Sequence, residues 1–182
     1  MLELDHEKGV FSFEKDKNGK RFFFIDKYWD IYQLYRTLNK PHVYEVIVED
    51  RPCHLYFDVE YHFEEHPDCD GEGIVNKLIN TVYDRLHQVF GIDQSSKCEL
   101  IHLDATSPTK FSRHLIFRSD HFCFKNNRHV STFVHNEILS DPDLSLLVDP
   151  AVYSRNRNFR CVWSTKYAND DLYPLLPLDK AY

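Results

Sequence analysis

The sequence predicts an α+β (or α/β) fold, and three observations carry that reading. Several short segments alternate apolar and polar residues with period two. Two longer segments repeat their apolar residues at helical spacing. The chain of 182 residues is 42% hydrophobic and 15% aromatic, enough to bury an ordinary core. Only five glycines are present and no Ser/Gly-rich tract. No flexible linker is therefore expected, and the chain reads as a single core or as two packed modules of about 1–50 and 51–182.

Val10–Glu14 and Arg21–Asp26 read as a hairpin joined by the turn Lys15–Gly19. Tyr28, Ile31, Tyr32, Leu34, Tyr35 and Leu38 mark a helix over Lys27–Leu38, which Pro41 follows. Val43–Val48 is the next strand. Cys53–Tyr61 follows it, dominated by aromatic and β-branched residues. Pro67–Gly73 reads as a loop, and Ile74–Phe90 as a helix whose apolar stripe ends at Gly91. Cys98–Leu103 and Phe111–Phe117 are strands, and Asn126–Leu139 is a helix stopped by Ser140-Asp141-Pro142. The apolar run Leu144–Val148 leads into Asp149-Pro150, and Asn158–Lys166 is expected to be the last strand.

The acidic strand organises the chain. Leu55, Phe57, Val59 and Tyr61 point one way, and His54, Tyr56, Asp58 and Glu60 the other. Two carboxylates on one face of an apolar strand repel each other and resist desolvation. A hard divalent cation relieves both penalties, since Mg²⁺ takes one or two carboxylates together with substrate phosphates. The alternative is an edge strand whose polar face meets water.

Charge distribution adds to this. The formal net charge of −7 argues against a generic nucleic-acid binder. Yet seven acids and no Lys or Arg lie between Asp58 and Glu72, while Ala105–Lys166 holds nine Lys/Arg against five acids. The five cysteines are odd in number and nowhere spaced as CxxC, which fits reduced thiols and an intracellular protein. Residues 1–15 contain no apolar signal core, and no apolar run approaches the length of a membrane span.

Two further constellations carry chemistry. On the strand around Ser112, the residues Lys110, Ser112 and His114 share one face, with Phe111, Leu115 and Phe117 on the other and Arg113 among them. A point charge, a hydroxyl and an imidazole in a row suit a polyphosphate. The second is Arg155-Asn156-Arg157-Asn158-Phe159-Arg160, whose three guanidinium forks suit phosphates or carboxylates. Asp149 stands ready as a third carboxylate for the metal site.

Asp-x-Glu, Ser-x-His and the later Asp, in this order and each on an apolar strand, resemble the three motifs of the archaeo-eukaryotic primase superfamily. With Tyr44-Glu45-Val46-Ile47 and the Arg-Asn-Arg-Asn-Phe-Arg run, the likeness is to its eukaryotic primase-polymerase branch, over about residues 10 to 170. The resemblance implies a primase catalytic core with a mixed, RRM-like sheet flanked by helices. It implies that Asp58, Glu60 and Asp149 are catalytic and bind two divalent ions, Mg²⁺ or Mn²⁺. It assigns Lys110, Ser112, His114, Arg157, Asn158, Arg160 and Lys166 to the incoming nucleotide, Tyr44 to its sugar and Arg21 to the template. Strand alternation sets Arg157 opposite Asn158 and Arg160, so either the backbone is irregular there or Arg157 reaches the nucleotide differently.

The implied activity is template-directed addition of dNTP or NTP to a primer on single-stranded DNA. Replication proteins are candidate partners, in DNA replication and damage tolerance. The location would be nuclear or mitochondrial in a eukaryote, or the host cell for a virus. The branch's N-terminal helical segment and C-terminal zinc-binding module have no counterpart in this sequence, and its linker before the third motif shrinks to Asp141–Ser145. Extension of an existing primer is therefore expected ahead of de novo priming. Phe22, Tyr28 and Trp29 would either stack bases or belong to the core.

Two rival functions remain open at this level. One is a catalytically inactive primase fold that holds single strands or a replication partner. The other is a metal-dependent nuclease, which also needs clustered acids but not a triphosphate grip. His62, His66 and Cys69 form either a zinc half-site, completed by Cys98 or His102, or a solvated polar loop.

Overall fold

A computed structural model describes residues 8–16, 18–93, 98–167 and 173–178. They form two compact units: the described residues of Met1–Val48 and Arg155–Leu176 make one, those of Glu49–Ser154 and Pro177–Tyr182 the other. Each unit is built on an antiparallel four-stranded sheet, so the class is α+β as the patterning predicts.

In the first unit the strands are β1 (Lys8–Glu14), β2 (Arg21–Lys27), β3 (Val43–Ile47) and β7 (Arg157–Arg160), in the order β2-β1-β3-β7. The hairpin pairs Glu14 with Arg21 at its tip and Lys8 with Lys27 at its base. Helix α1 (Tyr28–Arg36) buries Ile31 and Tyr35, which cluster with Phe11 and Val43. Phe22, Tyr28 and Trp29 are exposed, although the Tyr28 ring packs edge-on against Phe11 with centroids 5.4 Å apart. The strand predicted over Asn158–Lys166 ends at Arg160. The chain then turns, and Trp163 adopts a left-handed backbone (φ 64°) that no strand accommodates.

In the second unit the strands are β4 (Leu55–His62), β5 (Cys98–Asp104) and β6 (Lys110–Ser119); the short β8 (Leu176–Pro177), of which Pro177 belongs to this unit, completes the order β4-β6-β5-β8. Leu55, Phe57 and Val59 lie opposite Phe117, Leu115 and Arg113 on one face of β4 and β6. Leu55, Phe57, Leu115 and Phe117 are fully buried, each contributing about 1.5–3 kcal/mol of transfer free energy.

Helix α2 (Gly71–Phe90) begins three residues before the predicted start. The Asp70 side chain accepts the Gly73 N–H at 3.0 Å and so caps a first turn that its two glycines would otherwise weaken. Gly71 is also required by space, since a Cβ there would stand 2.8 Å from the Phe111 ring. Gly91, at φ 67°, ends the helix as expected.

Helix α3 (Asn127–Phe133) runs into a π-helical turn, Val134–Ile138, within the predicted Asn126–Leu139. The stretch read as a reduced linker, Asp141–Ser145, falls largely in a helix, α4 (Pro142–Leu147). Pro142 occupies its first position, and the Asp141 side chain accepts from the N–H groups of Asp143 and Leu144. No helix among the described residues is long and apolar enough to cross a membrane.

Candidate active site

Strands β4 and β6 bring two of the sequence constellations face to face. Asp58 lies directly opposite His114, Glu60 opposite Ser112, and His62 opposite Lys110. Opposed residues in an antiparallel pair project to the same side, so the acids and the phosphate-type donors share one face. His114 Nε2 stands 3.7 Å from Asp58 Oδ1, and Lys110 Nζ is 2.5 Å from Glu60 Oε2. Strand β6 is an interior strand of its sheet, and Ser112 and His114 are buried. Strand β4 itself lies at the edge of this sheet, as the alternative reading of the acidic strand expects, and Asp58 and Glu60 are half-buried.

Asp149 joins this group through the backbone. Its N–H donates to the Asp58 carbonyl at 2.9 Å, next to a single bridge between Val59 and Val148. The expectation that it lies on a strand is corrected. Pro150 cannot donate to a ladder, and Asp149 instead caps a 3-10 turn (Pro150–Tyr153), accepting the Ala151 N–H at 2.9 Å. That turn is tied to β4 by Tyr56 and Tyr153, a pair that sequence patterning did not single out. Burial pushes the Tyr153 hydroxyl well above the ordinary phenol range, and Tyr56, Asp58 and Asp149 add to the shift. Tyr153 thus titrates in the combined field of both aspartates.

The opposite face of β6 is organised by Arg113, buried between Ser112 and His114 in sequence. Its guanidinium bonds Glu72 at the start of α2, Asp104 at the end of β5 and the Thr106 hydroxyl. It also stacks 4.5 Å over the Phe111 ring. This anchors the donor strand to its neighbours on three sides.

In the first unit, the register sets Ser12 opposite Tyr44, Tyr44 opposite Arg160, and Val46 opposite Asn158. Ser12, Tyr44, Asn158 and Arg160 therefore share one sheet face, and Ser12 Oγ donates to Asn158 Oδ1 at 2.6 Å. Arg21, paired with Glu14 at the hairpin tip, lies on that face too, its guanidinium 4.7 Å over the Tyr44 ring. Burial pushes the Tyr44 hydroxyl up to about 12, with help from Glu14 and against the pull of Arg21 and Arg160. Arg157, opposite Ile47, takes the other face, because β7 is regular from Arg157 on. The left-handed residue is the preceding Asn156 (φ 49°). Lys166 is exposed and lies beyond the strand.

The donor set of Asp58, Glu60 and Asp149 is hard oxygen, the kind that Mg²⁺ and Mn²⁺ take. Among the described residues, no three His, Cys, Asp or Glu side chains are already gathered to hold a metal. That applies to these acids and equally to the zinc half-site of His62, His66 and Cys69. Glu60 is paired with Lys110. The residues fit divalent ions in kind, provided that Lys110 releases Glu60.

This α+β architecture agrees with the fold class that the sequence predicts. Comparison with known proteins narrows it. No protein-family model matches the chain. It is 32% identical over 204 residues to a Danio rerio protein named DNA-directed primase/polymerase protein, covering 86% of this chain and 39% of that one. Proteins of the same name from Homo sapiens and Gallus gallus are 36% and 38% identical over 140 and 129 residues, covering 76% and 69% of this chain. The chain is thus similar, over most of its own length, to proteins named DNA-directed primase/polymerase protein, which is consistent with a PrimPol-like primase core. It spans 22% to 39% of the length of these relatives.

Proposed function

We propose that this chain is a template-directed nucleotidyltransferase that lengthens a primer 3′-end on single-stranded DNA. The observation that carries the reading is the cross-strand opposition of Asp58 with His114 and Glu60 with Ser112. A nuclease needs the acids alone. A row of acids facing a row of triphosphate donors suits nucleotide addition.

In this reading Asp58, Glu60 and Asp149 hold two divalent ions, Mg²⁺ or Mn²⁺. When bound, such ions neutralise the triphosphate and make the primer hydroxyl a better nucleophile. Ser112 and His114 donate hydrogen bonds to phosphate oxygens, and their burial keeps water from competing. Lys110 exchanges Glu60 for the triphosphate, so one cation serves the empty and the loaded site. Asn158 and Arg160 contact the nucleotide, Tyr44 lies beside its sugar and Arg21 meets the template. Arg157, on the other face of β7, acts on a different part of the substrate or on none.

Incubation of an end-labelled primer on a single-stranded template with dNTPs and Mn²⁺ tests this. Lengthening supports nucleotide transfer and shortening supports a nuclease. An unchanged primer that nevertheless binds the protein supports the non-catalytic module.

A further inference from the structure

Glu14 is the last residue of β1, a buried carboxylate only 5% exposed, and it belongs to none of the three primase motifs. Both of its oxygens are engaged. Oε1 accepts from Arg21 Nη2 at 3.1 Å; Oε2 accepts from the Tyr44 hydroxyl at 2.9 Å and from the Tyr167 N–H at 3.2 Å. Arg21 in turn lies over the Tyr44 ring. The carboxylate, the phenol and the guanidinium thus close a three-membered cluster in which each touches the other two.

A buried carboxylate is costly unless its lone pairs are filled, and a charge-assisted bond is about twice as strong as a neutral one. Such a cluster has one low-energy arrangement. Removing the charge from its centre frees two residues at once, one on β3 and one on β2.

We infer that Glu14 is a positioning residue that holds Tyr44 and Arg21 in a single arrangement, and so couples nucleotide recognition to template recognition. The inference rests on the proposed function for the roles of those two residues. The coupling follows from the geometry, since a change at the nucleotide tyrosine reaches the template arginine through one shared carboxylate. With its hydroxyl committed to Glu14, Tyr44 meets the nucleotide as a fixed ring.

The test compares Glu14→Gln, Glu14→Asp, Tyr44→Phe and the Glu14→Gln/Tyr44→Phe double variant, all checked for an unchanged fold by circular dichroism. Glu14→Gln is expected to raise both the nucleotide KM and the Kd for a single-stranded oligonucleotide by about tenfold, the worth of a charged hydrogen bond. It is expected to leave kcat within about twofold, because binding and not the chemical step is affected. Glu14→Asp restores part of both losses. In the double variant the two changes are sub-additive in KM, as they act on one cluster.

A second readout needs no turnover: the Tyr44 ring-carbon resonance in tyrosine-labelled protein, assigned with Tyr44→Phe. In Glu14→Gln that resonance shifts, and its hydroxyl titrates lower than in the wild type. If the wild type incorporates no nucleotide, the proposed function fails, and the resonance and the oligonucleotide Kd alone judge the role of Glu14. An unmoved Tyr44 resonance, or strictly additive effects in the double variant, would overturn the inference.

Discussion

Tyr56 and Tyr153 bond each other's segments reciprocally. The Tyr56 hydroxyl donates to the Val152 carbonyl at 3.0 Å, and the Tyr153 hydroxyl donates to the Tyr56 carbonyl at 2.9 Å. Their rings pack with centroids 5.2 Å apart. The turn that follows Asp149 is thereby fixed to the strand position two residues before Asp58. Asn127 reinforces the same turn, donating its Nδ2 to the carbonyls of Tyr153 and Ser154.

Tyr153→Phe therefore removes one buried hydrogen bond and leaves the Tyr56 carbonyl without that donor. A loss of about 1–2 kcal/mol in stability is expected, read by urea denaturation. Nucleotide addition is expected to fall by more than this loss explains, since Asp149 depends on the turn. Equal activity of the folded variant would show that the tyrosine pair serves stability only.

Lys110 and Glu60 give a second prediction. With Lys110→Met, Glu60 loses its cation, and Mn²⁺ binds more tightly in calorimetric titration without nucleotide. Nucleotide KM rises by about tenfold for the loss of a charged phosphate contact. The opposite signs distinguish an exchanging lysine from one that merely stabilises the strand.

His54 supplies a pH dependence. Burial lowers its pKa, Arg118 lowers it further, and Asp120 partly opposes them. The folded protein thus holds the ring neutral, while the unfolded chain takes up a proton near its ordinary value of about 6.5. The unfolded state binds more protons in that window, so stability is full above about pH 6.5 and drains as pH falls toward the depressed folded value. Melting temperature should fall between about pH 7 and 5.5, and less steeply in His54→Gln. Identical slopes in both proteins would assign the effect to other histidines.

Arg113→Met tests the anchor of the donor strand. The Arg113 side chain is 6% exposed, but its partners Asp104 and Glu72 are 33% and 56% exposed. Water can reclaim those acids, so the loss should be about 2 kcal/mol and not the 3–5 of a fully buried pair. The methionine keeps most of the apolar stem in place. The urea midpoint gives the stability, and nucleotide KM reports whether Ser112 and His114 have moved.

Period-two alternation was enough to place Asp58, Glu60, Lys110, Ser112 and His114 on their faces, because strand geometry is local. The pairing of those faces is a long-range register, and no spacing in the sequence encodes it. Helix α2 starts early because one aspartate cap outweighs two glycines. Asp149 looks like a strand residue after an apolar run, but that run is helical and Pro150 prevents a ladder. The strand-forming residues of Cys161–Lys166 extend the expected last strand, yet Trp163 turns the backbone there. Glu14 resembles any acid beside a hairpin turn. Only the fold shows that Tyr44 and Arg21 converge on it.

The central claim is that the carboxylates of β4 and Asp149 perform nucleotide transfer. Single-nucleotide incorporation into a labelled primer-template, with increasing Mn²⁺, tests it in the wild type, Asp58→Asn and Asp149→Asn. The account predicts incorporation by the wild type and a loss of about a thousandfold or more in each variant, the scale of removing charge stabilisation from a transition state. Oligonucleotide binding and melting temperature should stay near wild type. Variants that extend at the wild-type rate, or a wild type that binds the primer-template without extending it, would contradict the account.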